Sequence, residues 1–189
     1  MDFHASKAIL RIPSSQLYLV AKHTQGPHLF SLLGGTKEEG ESCWDTLQRE
    51  FFEETSGVLK LVKKGENYYL QNGSQKWLLH EPQVIHEKDP YNVVFYIFDI
   101  YTQLSPDPFV FEINQQMHSA QQQLLNKLGY NLNVVSTMST LLQIPLIDLL
   151  YKLDPLNSNW VYLEKEGIEF VPYTLLQSHL LEKNILNYL

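Results

Sequence analysis

Residues 34–41 read GGTKEEGE, and after seven further residues the segment 49–54 reads REFFEE. The second segment places carboxylates at Glu50, Glu53 and Glu54, which is the i, i+3, i+4 spacing of one helical face. Like charges at this spacing destabilise an exposed helix by about 0.2–0.5 kcal/mol per pair. The pattern therefore indicates that a bound cation neutralises the three acids.

The helix that carries these acids is predicted from about residue 43 to residue 55. Ser42, followed three residues later by Asp45, forms an acidic variant of the capping box at its start. Gly57 marks the end because glycine tolerates a left-handed closing residue. On the face opposite the acids, a stripe of side chains is expected to pack against a sheet: Trp44, Leu47, Phe51 and Thr55.

The residues around the acids indicate which cation would bind. Oxygen ligands with no accompanying His or Cys cluster favour Mg²⁺, or Mn²⁺, over zinc. A pair between Arg49 and Glu41 would tie the preceding loop to the helix and hold the backbone of Gly34 and Gly35 in place. Adjacent glycines let the main chain approach a metal or phosphate closely, so the Gly35 carbonyl is a further candidate ligand. We therefore expect structural support from Arg49, Glu41 and Gly34.

A Glu-rich helical face taken alone is usually solvated surface. The wider pattern changes this expectation because it fixes six positions, and their chance recurrence over the chain is on the order of 10⁻⁵. These positions are Gly35, Glu41, Arg49, Glu50, Glu53 and Glu54. The pattern favours a dedicated site.

The full spacing, Gly35-x5-Glu41-x7-Arg49-Glu50-Phe51-x-Glu53-Glu54, resembles the Nudix box, which normally reads G-x5-E-x7-R-E-U-x-E-E-x-G-U with U a bulky apolar residue. The segment 30–35 is similar to the lead-in that often precedes the box. Two positions depart from the pattern. Ser56 stands where glycine is expected, with Gly57-Val58 one position late, and Leu33 replaces a common proline. Neither departure removes a candidate ligand.

The resemblance implies a fold and a domain organisation. The expected fold class is α/β, a Nudix-like α/β/α sandwich with a mixed sheet. We expect residues 1–189 to form a single Nudix hydrolase domain. Residues 112–143 are expected to be an inserted helical segment, and residues 160–189 a C-terminal hairpin and helix, both atypical of the family.

The resemblance also implies an activity: Mg²⁺-dependent hydrolysis of a diphosphate linkage in a small molecule joined to a nucleoside diphosphate. Glu50, Glu53 and Glu54 would bind the metal, and Glu53 is the first candidate for the catalytic base, with Glu50 next. Some relatives place the base on a later loop, where the candidates here are Glu87, Asp89 and Glu112. Two other functions stay open, a nucleotide-binding sensor without catalysis and an RNA cap or 5′-end hydrolase.

Composition restricts the partners. The formal net charge of −7 gives no global basic field to recruit long nucleic acid. A single cysteine excludes an internal disulfide framework and a multi-cysteine zinc site. Residues 1–7 lack the features of a signal peptide. The sequence contains no stretch of about 18 apolar residues, so a membrane span is not expected. We therefore expect a cytoplasmic protein, and the resemblance implies that its partner is a small nucleotide-type substrate.

The remaining pattern gives a coarse outline. Strands are predicted at 8–12, 16–21, 59–62, 68–70, 77–80 and 93–101, and a terminal hairpin from 160–163 and 168–171. Helices are predicted at 119–128, 146–153 and 175–189. The apolar stripe of the last helix, which includes Leu176, Leu180 and Ile185, fits a homodimer seam or packing within the chain. His23 and His28 have no metal-ligand spacing and are assigned to loop or surface roles.

Overall fold

The computed structural model describes residues 1–23, 30–179 and 183–189. The strands are β1 Ala5–Ile12, β2 Leu17–Lys22, β3 Phe30–Ser31, β4 Leu33–Thr36, β5 Lys60–Lys64, β6 Asn67–Asn72, β7 Gln75–Leu79, β8 Gln83–Glu87, β9 Val93–Asp99 and β10 Gly167–Pro172. The α-helices are α1 Cys43–Glu54, α2 Pro106–Lys127, α3 Leu132–Leu142, α4 Leu146–Leu153 and α5 Tyr173–His179. Two 3-10 helices span Ser158–Leu163 and Lys183–Tyr188.

The main sheet is mixed, as predicted. Its order is β10-β2-β1-β9-β8, with β3 added to β2 and β4 added to β1. Strands β1 and β9 are parallel, and the other pairs in this sheet are antiparallel. Strand β9 is a nearly continuous run of buried apolar side chains, which is typical of a strand covered on both faces.

Alternation along the central strands separates two cores. Ala8, Leu10 and Ile12 of β1 face a core that includes Leu47 and Phe51 of α1. Intervening strand residues face a second core, which the terminal segments cover with Leu176 of α5 and Ile185. Because helical elements cover both faces of the sheet, the architecture is the expected α/β/α sandwich.

Two smaller units flank the sandwich. Strands β5, β6 and β7 form an antiparallel meander whose buried residues, such as Leu70 and Trp77, join the core beneath α1. Helices α2 and α4 and the 3-10 helix Ser158–Leu163 enclose a separate cluster of Leu125, Leu150 and Trp160. This helical subcore holds the segment that leads into β10 against the sandwich.

The predicted terminal hairpin is wrong. Residues 160–163 lie in a 3-10 helix, and β10 pairs with β2 instead of with them. The predicted helix 175–189 is also divided, into α5 and the 3-10 helix Lys183–Tyr188. Leu176 and Ile185 are buried within the chain, while Leu180 lies outside the described residues. Those two side chains therefore pack within the chain, which was one of the two predicted alternatives, and the homodimer stays a prediction.

The other corrections concern bounds. The glycine pair lies within β4, which was not among the predicted strands, and Gly34 is opposite Lys7 while Gly35 is opposite Ser6 of β1. Helix α2 begins at Pro106, 13 residues before the predicted start at 119, because proline is well accommodated in the first turn of a helix. Strand β8 was not predicted, α3 lies within the predicted helical segment 112–143 without having been predicted as a separate helix, and α4 has the predicted bounds.

Strand β10 forms one edge of the main sheet, and a side chain of α2 covers part of it. The Nδ2 group of Asn114 donates to the carbonyl oxygen of Ile168 at 3.0 Å, and the backbone N–H of Ile168 donates to Asn114 Oδ1 at 2.8 Å. A Cβ at Gly167 would lie 2.6 Å from Asn114 Oδ1, so glycine leaves the room that this contact needs.

Candidate active site

Helix α1 positions the acids of the box beside its packing face and not opposite it as predicted, since Glu54 is buried together with Leu47 and Phe51. Ser42 caps the helix as predicted: Ser42 Oγ accepts from the Asp45 backbone, and Asp45 Oδ2 accepts from the Ser42 backbone, both at 3.1 Å. Leu47 and Phe51 are fully buried against the sheet. These two constraints fix the rotation of the helix, so Glu50, Glu53 and Glu54 are directed toward β4 and the loop after it.

Arg49 forms the centre of an ion-pair network. Its guanidinium donates to both carboxylate oxygens of Glu41, at 2.6 and 3.1 Å, so the predicted pair is present and bidentate. Its Nη1 group donates to Glu50 Oε1 at 2.9 Å and to Glu53 Oε2 at 3.2 Å. Its Nη2 group also donates to the Thr36 carbonyl at 2.8 Å, and this contact joins the helix to the end of β4.

The glycine pair lies against two of the acids. The backbone N–H of Gly34 donates to Glu54 Oε2 at 2.8 Å. A Cβ at Gly35 would overlap the Glu50 carboxyl group, and a Cβ at Gly34 would overlap the Ser6 carbonyl oxygen. Gly34 has φ +134°, a conformation that favours glycine. Glycine is therefore required at position 34 by the close approach of β1, and glycine at position 35 leaves room for the Glu50 carboxyl group.

Burial sets the ionisation of the acids. It raises the pKa of Glu54, which is 6% exposed, from 4.5 to about 7, although Lys165 and the Gly34 N–H favour the charged form. Burial also raises the pKa of Glu50 and of Glu53 against the opposing effect of Arg49. Glu41 is the opposite case, because its hydrogen bonds to Arg49 lower its pKa to about 2.

The donor chemistry of this site fits a hard divalent cation. Three carboxylates gather on one surface, and their raised pKa values mean that nearby cations do not offset the cost of burying their charge. Glu50 and Glu53 already converge on one cationic nitrogen of Arg49. Across the described residues, no group of three or more His, Cys, Asp and Glu side chains is arranged to hold a metal ion. In the present arrangement Glu50 and Glu53 are paired with Arg49, and Glu54 is paired with Lys165.

Lys165 is a site residue that the sequence did not indicate. It lies in the loop before β10, its side chain is 11% exposed, and its Nζ is 3.4 Å from Glu54 Oε1. Its Nζ is also 3.3 Å from Nε2 of His23, which is 2.8 Å from Ser31 Oγ. Burial, with Lys165 and Lys7 next in effect, lowers the pKa of His23 to about 4, so this ring is neutral near pH 7.

Glu164 is a second such residue. It accepts a hydrogen bond from the Tyr151 hydroxyl at 2.9 Å, and its charge contributes to raising the pKa of Glu50. The later acids considered from sequence lie elsewhere. Glu87 and Asp89 line a cavity of about 210 Å³ with Lys183 and Ile185. Glu112 is an exposed residue of α2 that accepts from Gln116 at 3.3 Å.

Ser56, the departure from the box pattern, joins the helix to the C-terminal part of the chain. It has φ +54°, which explains why glycine is usual at this position. Its hydroxyl donates to the Tyr162 carbonyl at 2.7 Å and accepts from Gln121 Nε2 at 2.8 Å. The same amide group donates to the Lys165 carbonyl at 2.7 Å. Serine thus supplies contacts that glycine cannot, and these contacts place the Lys165 loop beside α1.

A family model described as the NUDIX domain matches residues 3–104, which includes β1, the glycine pair, α1 and β9. The chain belongs to the Nudix family. Nudix proteins are, as a class, hydrolases of compounds linked to a nucleoside diphosphate, and they generally use divalent metal ions. Lys165, Glu164 and the helical subcore lie outside the matched Nudix region.

Solved structures similar to this Nudix chain include a NUDIX hydrolase from Nitrosomonas europaea, with 16% identity, coverage of 56% of this chain and 64% of that one, and a TM-score of 0.31. Another is the MutT protein from Methanosarcina mazei Go1, with 15% identity, coverage of 53% and 64%, and a TM-score of 0.28. The chain thus spans less than two thirds of the length of either protein. No curated protein matches the sequence.

Within the described ranges, no single helix has the length and apolar composition needed to cross a membrane. Helices α3 and α4 reach that length and composition only as a pair, and the pair is bent by 104° between them.

Proposed function

We propose that this protein is a Mg²⁺-dependent Nudix pyrophosphohydrolase that cleaves the diphosphate linkage of a small molecule joined to a nucleoside diphosphate. The observation that carries the proposal is the arrangement of three acids of α1 against the glycine pair. Glu54 accepts from the Gly34 N–H, Glu50 occupies the space that a Cβ at Gly35 would fill, and Glu53 shares Arg49 with Glu50.

The proposed metal ligands are the carboxylates of Glu50, Glu53 and Glu54, together with the Gly35 carbonyl, and Mn²⁺ is an alternative to Mg²⁺. A divalent ion held there would neutralise phosphate charge and lower the pKa of a bound water. Burial matters for this role, because a carboxylate with few competing waters gains more from a cation than an exposed one does.

The protein groups have separate roles in this proposal. Glu53 is the first candidate for the base that takes the proton of the attacking water, and Glu50 is the second. Arg49 holds both of these side chains, and its bidentate pair with Glu41 restricts its own movement. Its contact with the Thr36 carbonyl ties the end of β4, next to Gly35, to α1.

The test is a substrate panel of nucleoside-diphosphate-linked compounds, incubated with and without Mg²⁺, for wild type and for Glu54→Gln. A matched control is Glu66→Gln, which removes the same charge from an exposed turn between β5 and β6. The proposal expects Mg²⁺-dependent release of a phosphorylated product by wild type and the control, and a loss of at least about 100-fold in Glu54→Gln.

The same panel separates the alternative functions. A compound that binds wild type in Mg²⁺ but is never cleaved would favour a nucleotide sensor. Cleavage restricted to capped or 5′-phosphorylated RNA would favour the RNA-end hydrolase. Metal-independent turnover, or full turnover by Glu54→Gln, would contradict the proposed site. The cytoplasmic location and the homodimer remain predictions.

A further inference from the structure

The loop before β10, which lies outside the region that the family model matches, places the side chain of Lys165 in the candidate site. Lys165 Nζ lies 3.4 Å from Glu54 Oε1, and only 11% of the side chain is exposed. The peptide group between Lys165 and Glu166 is held at both of its polar atoms, since the Lys165 carbonyl accepts from Gln121 and the Glu166 N–H donates to the Lys22 carbonyl at 3.0 Å. A lysine held this firmly beside a buried acid is not a solvated surface charge.

The ammonium group of Lys165 is only partly satisfied by the described side chains. It has three N–H donors. Two are directed at Glu54 Oε1 and His23 Nε2, at 3.4 and 3.3 Å. Both distances exceed the 2.7–2.9 Å of strong charge-assisted hydrogen bonds. These long contacts leave the ammonium group able to donate to an additional anionic oxygen that enters the site.

His23 is oriented to support this role. An ammonium cannot accept a hydrogen bond, so the Nε2 atom that faces Lys165 must be the acceptor nitrogen, and the ring proton is on Nδ1. A neutral acceptor restricts the position of the lysine without cancelling its charge. Ser31 of β3 contacts the same nitrogen and restricts the ring in turn.

A divalent cation on Glu54 would place two positive groups around one carboxylate. The metal and the ammonium repel each other, so an anion that contacts both of them stabilises the arrangement. A diphosphate is such an anion, because its oxygens can contact a metal and an ammonium at the same time.

We infer that Lys165 is a substrate-binding residue that contacts a phosphate oxygen of the diphosphate when Glu54 is engaged by the metal. The inference rests on the proposed function, and it adds a binding residue from the C-terminal part of the chain. In the absence of ligand, the same side chain remains on Glu54 and His23.

The test measures binding without turnover. The probe is an α,β-methylene nucleoside diphosphate, whose P–CH₂–P bridge resists hydrolysis, titrated in saturating Mn²⁺ by calorimetry. Mn²⁺ alone is titrated in parallel. The variants are Lys165→Met, Lys165→Arg and, as a matched control, Lys152→Met on the exposed end of α4.

Loss of one charge-assisted contact should raise the Kd for the analogue on the order of 10- to 100-fold in Lys165→Met. Lys165→Arg should recover part of this loss, and Lys152→Met should bind like wild type. If Lys165→Met binds the analogue like wild type while its Mn²⁺ affinity changes, the lysine is only a counter-ion of Glu54 and the inference fails. In that case wild-type turnover still supports the proposed function. If wild type neither binds the analogue nor cleaves any substrate, both fail.

A second measurement uses the wild-type protein and so does not depend on whether Lys165→Met folds. The ¹⁵Nζ ammonium resonance of Lys165 in wild type, assigned by its absence in Lys165→Arg, should shift when the analogue is added in Mg²⁺. Adding the unphosphorylated nucleoside should leave it unchanged. An unchanged resonance at saturating analogue would overturn the inference.

Discussion

Replacing Glu54 by glutamine should stabilise the metal-free protein at neutral and alkaline pH, even though this residue is a proposed metal ligand. Burial raises the pKa of Glu54 from 4.5 to about 7, so folding favours the protonated carboxyl. Glutamine resembles that neutral form and keeps an oxygen that accepts from the Gly34 N–H. The variant therefore retains the buried contact without burying a charge.

The size of the effect follows from the pKa. A tenfold change in an ionisation constant is worth about 1.4 kcal/mol, so the rise corresponds to about 3 kcal/mol of folding free energy. The stability that the buried neutral carboxyl contributes is fully present below pH 4.5, where both states are protonated. It is lost as the pH rises from 4.5 through about 7, because the unfolded chain ionises first.

The assay is urea unfolding of wild type and Glu54→Gln in a chelator, at pH values between 4.5 and 8.5. Other groups titrate in both proteins, so the informative quantity is the difference in the free energy of unfolding. We expect it to be near zero at pH 4.5 and to reach about 3 kcal/mol in favour of Glu54→Gln above pH 7.5. Saturating Mg²⁺ should stabilise wild type and reduce the difference.

Two results would refute this reasoning. A difference that is constant across the pH range would mean that Glu54 has the same pKa in the folded and unfolded states. A wild type that becomes the more stable protein above pH 7 would mean that Lys165 and the Gly34 N–H outweigh the cost of burial.

Three further substitutions test the surroundings of the acids. Glu41→Gln should lower the free energy of unfolding in urea by about 1–3 kcal/mol, because it removes the bidentate partner of the Arg49 guanidinium. The control is Glu38→Gln, which should lower it by less than about 0.5 kcal/mol, because the Glu38 carboxylate is 69% exposed and lies 3.9 Å from Arg49 Nη1. Equal losses would contradict the network. Ser56→Ala should be less stable than Ser56→Gly by about 1 kcal/mol in the same assay, because both variants lose the two hydrogen bonds of the hydroxyl and only alanine is strained at the positive φ; equal stabilities would show that the strain is negligible. Gly35→Ala should weaken Mn²⁺ binding by more than about tenfold in calorimetry, because its Cβ displaces the Glu50 carboxyl, and unchanged affinity would place Glu50 outside the metal site.

Local features of the sequence predicted the local structure of the box well. The capping pair of Ser42 and Asp45 defines where α1 begins, and the apolar stripe of Leu47 and Phe51 defines which face is buried. The pair between Arg49 and Glu41 could be predicted because its members are eight residues apart on a loop and a helix.

Features that depend on distant parts of the chain could not be predicted. Lys165 meets His23 across 142 positions, and no spacing rule connects residues so far apart. The charge of the acidic face of α1 is typical of a solvent-exposed surface. Glu54 is nevertheless buried, because β4 and the loop before β10 cover it. Residues 160–163 have a strand-like composition, but the indole N–H of Trp160 donates to the Asp154 carbonyl within the helical subcore.

The side-chain amide of Asn114, which bonds to the edge strand β10, has a consequence for self-association. An uncovered sheet margin offers unpaired main-chain groups as a template for another polypeptide, which is the usual start of fibrillar aggregation. Here a side-chain carboxamide takes the place that a neighbouring strand's peptide group would occupy, and Pro172 ends the same strand with a residue that has no N–H. The chain therefore protects this margin with one amide and one imino acid, and Asn114→Leu should reopen it to intermolecular pairing.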